Sequence, residues 1–304
     1  MMPTDQTRFV QKITAIYGDR GRAWLDSLPA VIAECESRWS LTVGDPFRNL
    51  SYNYVTPAVT HGNIAVVLKV GGIHPEFITE VAALRAYDGD GAVRIIEADV
   101  GRGAIVVERL QPGRELAELG DDEAATRIAA WLMSRLWRKP IEGHPYPTVE
   151  RYTCVLDAIR ETTSGDVGPF PAWMVDAAVS LLRELLKSSP EPVLLHGDLH
   201  HHNILSAERE PWLVIDPKGV VGDPAFDVGA WLQNPMPWLL DQPDAKAIQE
   251  RRIRQFSAEL GIDGERLRKW GFVYAVLSGL WSAESGNWDG VERMVRCAEL
   301  FGIR

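Results

Sequence analysis

The chain has 304 residues, 46% of them hydrophobic and 24% charged, which is the balance of a soluble globular protein with room for one large domain or two lobes. Forty-two acidic against 32 basic residues give a formal net charge of -10, and no Lys/Arg run supplies the basic patch that a nucleic-acid surface needs. Cys35, Cys154 and Cys297 are far apart with no C-x-x-C pair, residues 1–12 lack the apolar core of a signal peptide, and no apolar run reaches membrane-spanning length; the expectation is a reduced, cytoplasmic protein without a disulfide framework or zinc–thiolate site.

In chain order, Trp24, Leu25, Leu28, Val31 and Ile32 recur at spacings of three and four, which predicts a helix over 20–38. Residues 50–59 and 64–70 read as strands joined by a hairpin turn at Thr60-His61-Gly62-Asn63. A helix follows over 75–87, with Phe77, Val81 and Leu84 on one face, then strands over 92–98 and 103–110, ended by Pro112-Gly113. Beyond this point the pattern turns helical. Ile128, Leu132 and Leu136 mark an amphipathic helix over 121–139, and further helices are predicted at 148–162 and 171–187, separated by a loop at 164–169. Short strands at 193–196, 203–206 and 212–216 bound the motif loops, and the chain from Ala225 onward is helical with breaks near Pro235-Met236-Pro237 and Gly261. The expected architecture is α+β in two lobes with a cleft between them: a β-rich lobe over 1–110 and a mainly helical lobe over 111–304.

The stretch His196-Gly197-Asp198-Leu199-His200-His201-His202-Asn203, followed by Val214-Ile215-Asp216, carries the chemistry. An acid, an amide and a second acid at spacings of five and thirteen residues match the needs of phosphoryl transfer, whose catalysis is mostly positioning and charge neutralisation. Asp198 is the candidate catalytic base for a substrate hydroxyl. The Asn203 carbonyl and the Asp216 carboxylate are hard oxygen ligands of the kind Mg²⁺ prefers, with phosphates completing the shell. In the next cluster, Gly222-Asp223-Pro224-Ala225-Phe226-Asp227, Asp223 is placed to cap a helix and Asp227 to bond catalytic-loop amides, while His196 is a packing and hydrogen-bonding residue behind the loop.

Lys69 ends an apolar strand where a point charge can reach nucleotide phosphates; Glu80 on the next helix is its expected ion-pair partner, with Glu76 as competitor. The segment Gly44-Asp45-Pro46-Phe47-Arg48-Asn49-Leu50-Ser51 has one glycine, so Ser51 and backbone amides are the candidates to hold phosphates. Glu108-Arg109-Leu110 falls where the lobes join, and the backbone of Glu108 and Leu110 is the candidate to bond an adenine edge.

These residues together resemble the aminoglycoside phosphotransferase superfamily, which shares the protein-kinase-like bilobal fold. The match is His196-Gly197-Asp198-Leu199-x-x-x-Asn203, then Ile215-Asp216-Pro217-Lys218-Gly219, then Gly222-Asp223-Pro224-x-x-Asp227, and it looks most like the aminoglycoside/hydroxyurea resistance kinases, which include streptomycin 6-phosphotransferases. The resemblance extends from about Trp39 to Trp288 and is dense over 193–231. It implies ATP, with GTP as the alternative donor, together with Mg²⁺; Asp198 as base; Asn203 and Asp216 as metal ligands; and Lys69 with Glu80 as nucleotide anchor. The chain departs from the pattern in its weak glycine loop. It also carries Gly197 where many protein kinases have Arg, which argues against control by activation-loop phosphorylation and against a protein substrate.

The expected acceptor is a cationic, polyhydroxylated small molecule such as an aminocyclitol or amino sugar. Candidate contacts are Asp241, Asp244, Glu284 and Asp289, with Trp231, Trp238, Trp281 and Trp288, because carboxylates pair with ammonium or guanidinium groups and indole faces stack on sugars. A metabolic sugar or amino-sugar kinase of the same fold is the alternative. A metal-dependent hydrolase built on His196, Asp198, His200, His201 and His202 is a rival from another class, but consecutive histidines in an extended loop point in different directions. A nucleotide-binding protein without catalysis is a third reading, disfavoured by the joint presence of Asp198, Asn203, Asp216 and Lys69.

Overall fold

The computed structural model describes residues 5–72, 74–154, 156 and 170–303. The chain divides into two compact units, Met1–Gly113 and Arg114–Arg304. Among the described residues no helix is long and apolar enough to cross a membrane.

The first unit opens with α1 (Asp5–Trp39), two helical segments joined at Gly18. Gly18 has φ 56° and ψ -130°, a backbone that only glycine adopts without a Cβ penalty. The helix predicted over 20–38 is the second segment. Its apolar face, with Phe9 and Ile13 from the first segment, packs on Leu41, Ala58, Val66, Leu68, Val70, Ala104 and Val106. Those residues belong to an antiparallel sheet of β1 (Leu41–Val43), β2 (Tyr54–Thr60), β3 (Ala65–Val70), β4 (Ile95–Asp99) and β5 (Ala104–Glu108), in the order β1-β2-β3-β5-β4. The predicted hairpin is present, with Asn63 at φ 62° and its N–H donating to Thr60 O. The strand expected from Leu50 begins only at Tyr54. Amides of the preceding loop bond β2 instead, Gly44 N–H to Pro57 O and Phe47 N–H to Val55 O, and residues 50–53 lie outside the ladder. β1, three residues long and bracketed by no motif, shows no alternation in the sequence and is a strand only through its pairing with β2. α2 (Glu76–Tyr87) buries Phe77, Val81 and Leu84, the face read from their spacing.

In the second unit, β6 (Pro112–Glu115), which starts just before the division, β8 (Ile204–Ala207) and β9 (Trp212–Val214) make a small sheet, and β7 (Val193–Leu195) pairs antiparallel with β10 (Val220–Gly222). α3 (Asp122–Leu136) starts at Asp121, whose carboxylate accepts the Ala124 N–H, and buries Leu132, Met133 and Leu136 while Trp131 faces outward. α4 (Val149–Thr153) falls within the helix predicted over 148–162; positions 155 and 157–162 of that range and the loop at 164–169 lie outside the described residues. Among the described residues α5 (Ala172–Lys187), α6 (Ala225–Leu232), α7 (Trp238–Asp241), α8 (Ala245–Leu260), α9 (Gly264–Glu284) and α10 (Trp288–Glu299) follow. α9 is buried continuously from Trp270 to Leu277 and packs on α5, α6 and α10. A helix apolar on every side belongs at the centre of a helical core, and this one backs the motif loops.

Candidate active site

The loop that carries Asp198 leaves β7 and is held from behind by two buried side chains. The Asp227 carboxylate, at the start of α6, accepts the backbone N–H of His196 (3.1 Å), the N–H of Gly197 (2.7 Å) and Trp137 Nε1–H (3.0 Å). Burial pushes its pKa up to about 6 against the pull of these three donors. His196 accepts the Asp198 N–H on Nδ1 (3.2 Å), which puts its ring proton on Nε2, and Nε2–H donates to Ile215 O (2.9 Å). Burial lowers its pKa to about 4, so the ring is a neutral connector between the Asp198 loop and the segment leading to Asp216. Asp223 does more than cap: besides accepting the Ala225 N–H, its buried carboxylate takes hydrogen bonds from Arg266 and Trp270 Nε1–H.

Gly197 has φ 82°, and a Cβ there would lie 2.9 Å from Val220 Cγ2 and 3.3 Å from Lys218 Cβ; its carbonyl accepts the Tyr274 hydroxyl. Gly197→Ala therefore combines a left-handed backbone with a clash beneath the Asp198 loop. A loss of about 1–3 kcal/mol in stability is expected from urea unfolding, and unchanged unfolding would show that the loop relaxes freely.

Asp198 and Asn203 are brought together, with Asn203 Nδ2 donating to Asp198 O (3.0 Å). That bond turns the Asn203 amide so that its carbonyl oxygen is the group left for a cation. Asn203 O accepts the Ile215 N–H (2.9 Å), which ties the residue before Asp216 to the same loop. Asp216 itself has φ 57°, a left-handed backbone unusual for a residue with a Cβ and one that turns the chain sharply after Ile215. The Asp198 side chain is 29% exposed, and Lys218 Nζ is 3.5 Å from its Oδ2. Burial works against the charge on Asp198, but the Lys218 ammonium together with His200 and His196 holds the carboxyl below its usual range.

Asn203 and Asp216 offer a carbonyl and a carboxylate oxygen, a donor pair that fits Mg²⁺, which completes its shell with phosphates and water. The histidines do not form a rival metal site. His200 accepts the His202 N–H on Nδ1 and points Nε2 toward Asp198 at 4.0 Å. His201 is buried and stacked on Trp231 with 3.6 Å between ring centroids, and His202 hydrogen-bonds Glu115. Among the described residues no three His, Cys, Asp or Glu side chains gather as a metal-holding group, so the hydrolase reading loses its ligand set.

In the first unit Lys69 Nζ is 2.6 Å from Glu80 Oε1, and both side chains are buried. In register Lys69 lies between Val55 and Ile105, at the centre of the sheet. Glu76, the competing partner, instead lies 3.5 Å from His74. Ser51 is exposed in the loop before β2. Glu108 ends β5, where its Oε1 accepts the Arg94 N–H (2.9 Å), and Leu110 follows half-buried.

The substrate candidates separate. Trp231 is fully buried against His201 and Phe256, so it is a core residue and offers no face to a ligand, a correction to the sequence reading. An apolar helix buries every position regardless of its chemistry, and α6 is buried from end to end. Trp281 is half-buried in an edge contact with Tyr152, and Lys218 Nζ is 5.7 Å from its ring centroid. Glu284 and Asp241 are exposed at the ends of α9 and α7, as are Asp244 and Asp289 nearby in sequence. Sequence reasoning missed Lys218, Tyr152 and Tyr274. Lys218 stood inside the Asp216-Pro217-Lys218-Gly219 motif and was the only signal available; the two tyrosines had none.

The profile of a family described as aminoglycoside/hydroxyurea antibiotic resistance kinase matches residues 38–286. The chain is 30% identical to a streptomycin 6-kinase of Streptomyces glaucescens over 89% of this chain and 88% of that protein. It is 33% identical to a hydroxyurea phosphotransferase of Kitasatospora aureofaciens over 93% and 81%. Among solved structures it is similar to aminoglycoside phosphotransferase APH(4)-Ia, with a TM-score of 0.65 at 16% identity over 90% of this chain and 98% of that one. Choline kinase LicA from Streptococcus pneumoniae gives 0.58 at 15% over 91% and 99%. The fold is thus protein-kinase-like, with a β-sheet N-terminal unit and a helical C-terminal unit.

Proposed function

Because the chain belongs to the aminoglycoside/hydroxyurea antibiotic resistance kinase family, we propose that it transfers the γ-phosphoryl group of ATP to a hydroxyl of a streptomycin-like aminoglycoside. The observation that carries this reading is the joint placement of Asp198, ionised beside Lys218, with the Asn203 amide bonded to the same loop and to the segment before Asp216. Asp198 accepts the proton of the acceptor hydroxyl as its oxygen bonds to the γ-phosphorus; the bond from that phosphorus to the bridging oxygen breaks, and ADP leaves with the electron pair. Asn203 Oδ1 and Asp216 would hold Mg²⁺, which supplies charge neutralisation on the phosphates. Lys69, fixed by Glu80, binds nucleotide phosphate as a point charge, assisted by Ser51 and the amides of its loop, while the backbone of Glu108 and Leu110 meets the adenine. Trp281, Glu284 and Asp241 are the acceptor-side contacts proposed for a cationic, polyhydroxylated substrate, acting in the cytoplasm where ATP is supplied.

The hydroxyurea phosphotransferase relative supports a second acceptor, hydroxyurea. The test is incubation of the purified protein and Mg²⁺-ATP with streptomycin, other aminoglycosides, glucosamine and hydroxyurea, with mass detection of one added phosphoryl group. Phosphorylated streptomycin is the expected product. Product from glucosamine alone would move the assignment to an amino-sugar kinase, and no product from any acceptor would overturn it.

A further inference from the structure

We propose that Lys218 is the positioning residue of Asp198 and that Tyr152 and Trp281 hold Lys218 for that task; the inference rests on the phosphotransferase reading above. Lys218 is fixed at both ends. Its backbone N–H donates to His196 O (2.7 Å), two residues before Asp198. Its Nζ reaches Asp198 Oδ2 at 3.5 Å and donates to the Tyr152 hydroxyl at 3.1 Å. The Tyr152 and Trp281 ring centroids are 5.8 and 5.7 Å from Nζ, and the two rings meet edge to face at 5.2 Å. The side chain is 26% exposed.

A lysine that merely decorated the surface would be solvated, with a mobile head. This one has its stem anchored to the loop that carries the base, and its head shared between the base and a tyrosine. An ammonium is a compact charge with three donors on a flexible stem, so its direction has to be imposed by neighbours, and the Tyr152–Trp281 pair imposes it. Its attraction fixes which way the Asp198 carboxylate faces, and general-base catalysis depends steeply on that orientation. Lys218 keeps its proton throughout the step; the hydroxyl proton goes to Asp198.

The test uses the full chain, with streptomycin and, in parallel, hydroxyurea as acceptors. Lys218→Met is expected to lower kcat by ~10²-fold with the KM for Mg²⁺-ATP within about threefold, because orientation of the base is lost and nucleotide binding is not. Lys218→Arg should recover kcat to within about tenfold of the parent, and Tyr152→Phe should lose about fivefold, since only the hydroxyl acceptor is removed. In an Asp198→Asn background, adding Lys218→Met should change kcat by less than about threefold, as residues acting through one another are not additive. Multiplicative losses in the double variant, or a Lys218→Met effect confined to the KM for Mg²⁺-ATP, would overturn the proposal. Should Lys218→Met fail to fold, the Arg and Phe variants decide, and parental kcat in Tyr152→Phe together with a dead Lys218→Arg would overturn it. A parent protein that phosphorylates neither acceptor, or Asp198→Asn at the parental rate, would instead sink the underlying functional reading.

Discussion

Asp198→Asn is expected to lower kcat for phosphorylation of the acceptor by about 10²–10⁴-fold, the range lost when a general base is removed. The substitution keeps the shape of the side chain and removes its ability to take a proton. It leaves the loop's own bonds in place, because the backbone carbonyl of residue 198 accepts from Asn203 Nδ2 and its backbone N–H donates to His196 Nδ1. Nucleotide affinity should therefore stay within about threefold, which separates a lost base from a collapsed site. Steady-state kinetics with Mg²⁺-ATP, together with titration of a fluorescent nucleotide, measures both quantities. Unchanged turnover would remove Asp198 from the chemistry.

The second large effect is expected at Asp227. Its two carboxylate oxygens receive three buried donors, from His196, Gly197 and Trp137. An asparagine has one acceptor oxygen and turns an NH₂ toward donors that need an acceptor. Each buried donor left without a partner costs about 1–3 kcal/mol, so Asp227→Asn should lower stability by roughly 4 kcal/mol and kcat with it, since the loop behind Asp198 loses its support. The pH dependence has a definite sign. The native state holds the Asp227 proton up to about pH 6, above the ordinary aspartate value of 3.8. Its contribution to stability is thus greatest below pH 3.8, declines as pH rises through that window, and is level above pH 6. A shift of this size corresponds to about 3 kcal/mol, at 1.36 kcal/mol per unit. Urea unfolding of the parent and the variant between pH 4 and 7 checks this: the difference in stability between them should shrink as pH rises. A difference that grows with pH would mean the three donors outweigh burial.

The elements best seen in the sequence were those whose own composition decides them. α2 and α3 each have an apolar face at helical spacing and appear nearly where predicted. Short strands are legible only where a motif loop brackets them: β7, β8 and β9 lie where expected, while β1, β6 and β10, equally short, become strands only through a neighbour at hydrogen-bonding distance. α1 was seen only in its second half, because the reversal at Gly18 conceals that Phe9 and Ile13 share the face of Leu28.

For the site, the spacing of acid, amide and acid is what proposes Asp198, Asn203 and Asp216 as one chemical set, and the folded chain ties the Asn203 amide to the Asp198 backbone and to the residue before Asp216. Glu80 is the expected partner of Lys69, with Glu76 as competitor four residues away on the same helix, and the packed sheet and helix pair Lys69 with Glu80 while Glu76 meets His74. Tertiary structure alone took Trp231 out of reach of any ligand by wrapping α6 in core, and set Lys218 between Asp198 and two aromatic rings from elements more than sixty residues away on either side. Covalent neighbours and short periodicities are written in the chain; which distant side chain fills the space beside a charge is settled only when the whole core closes around it.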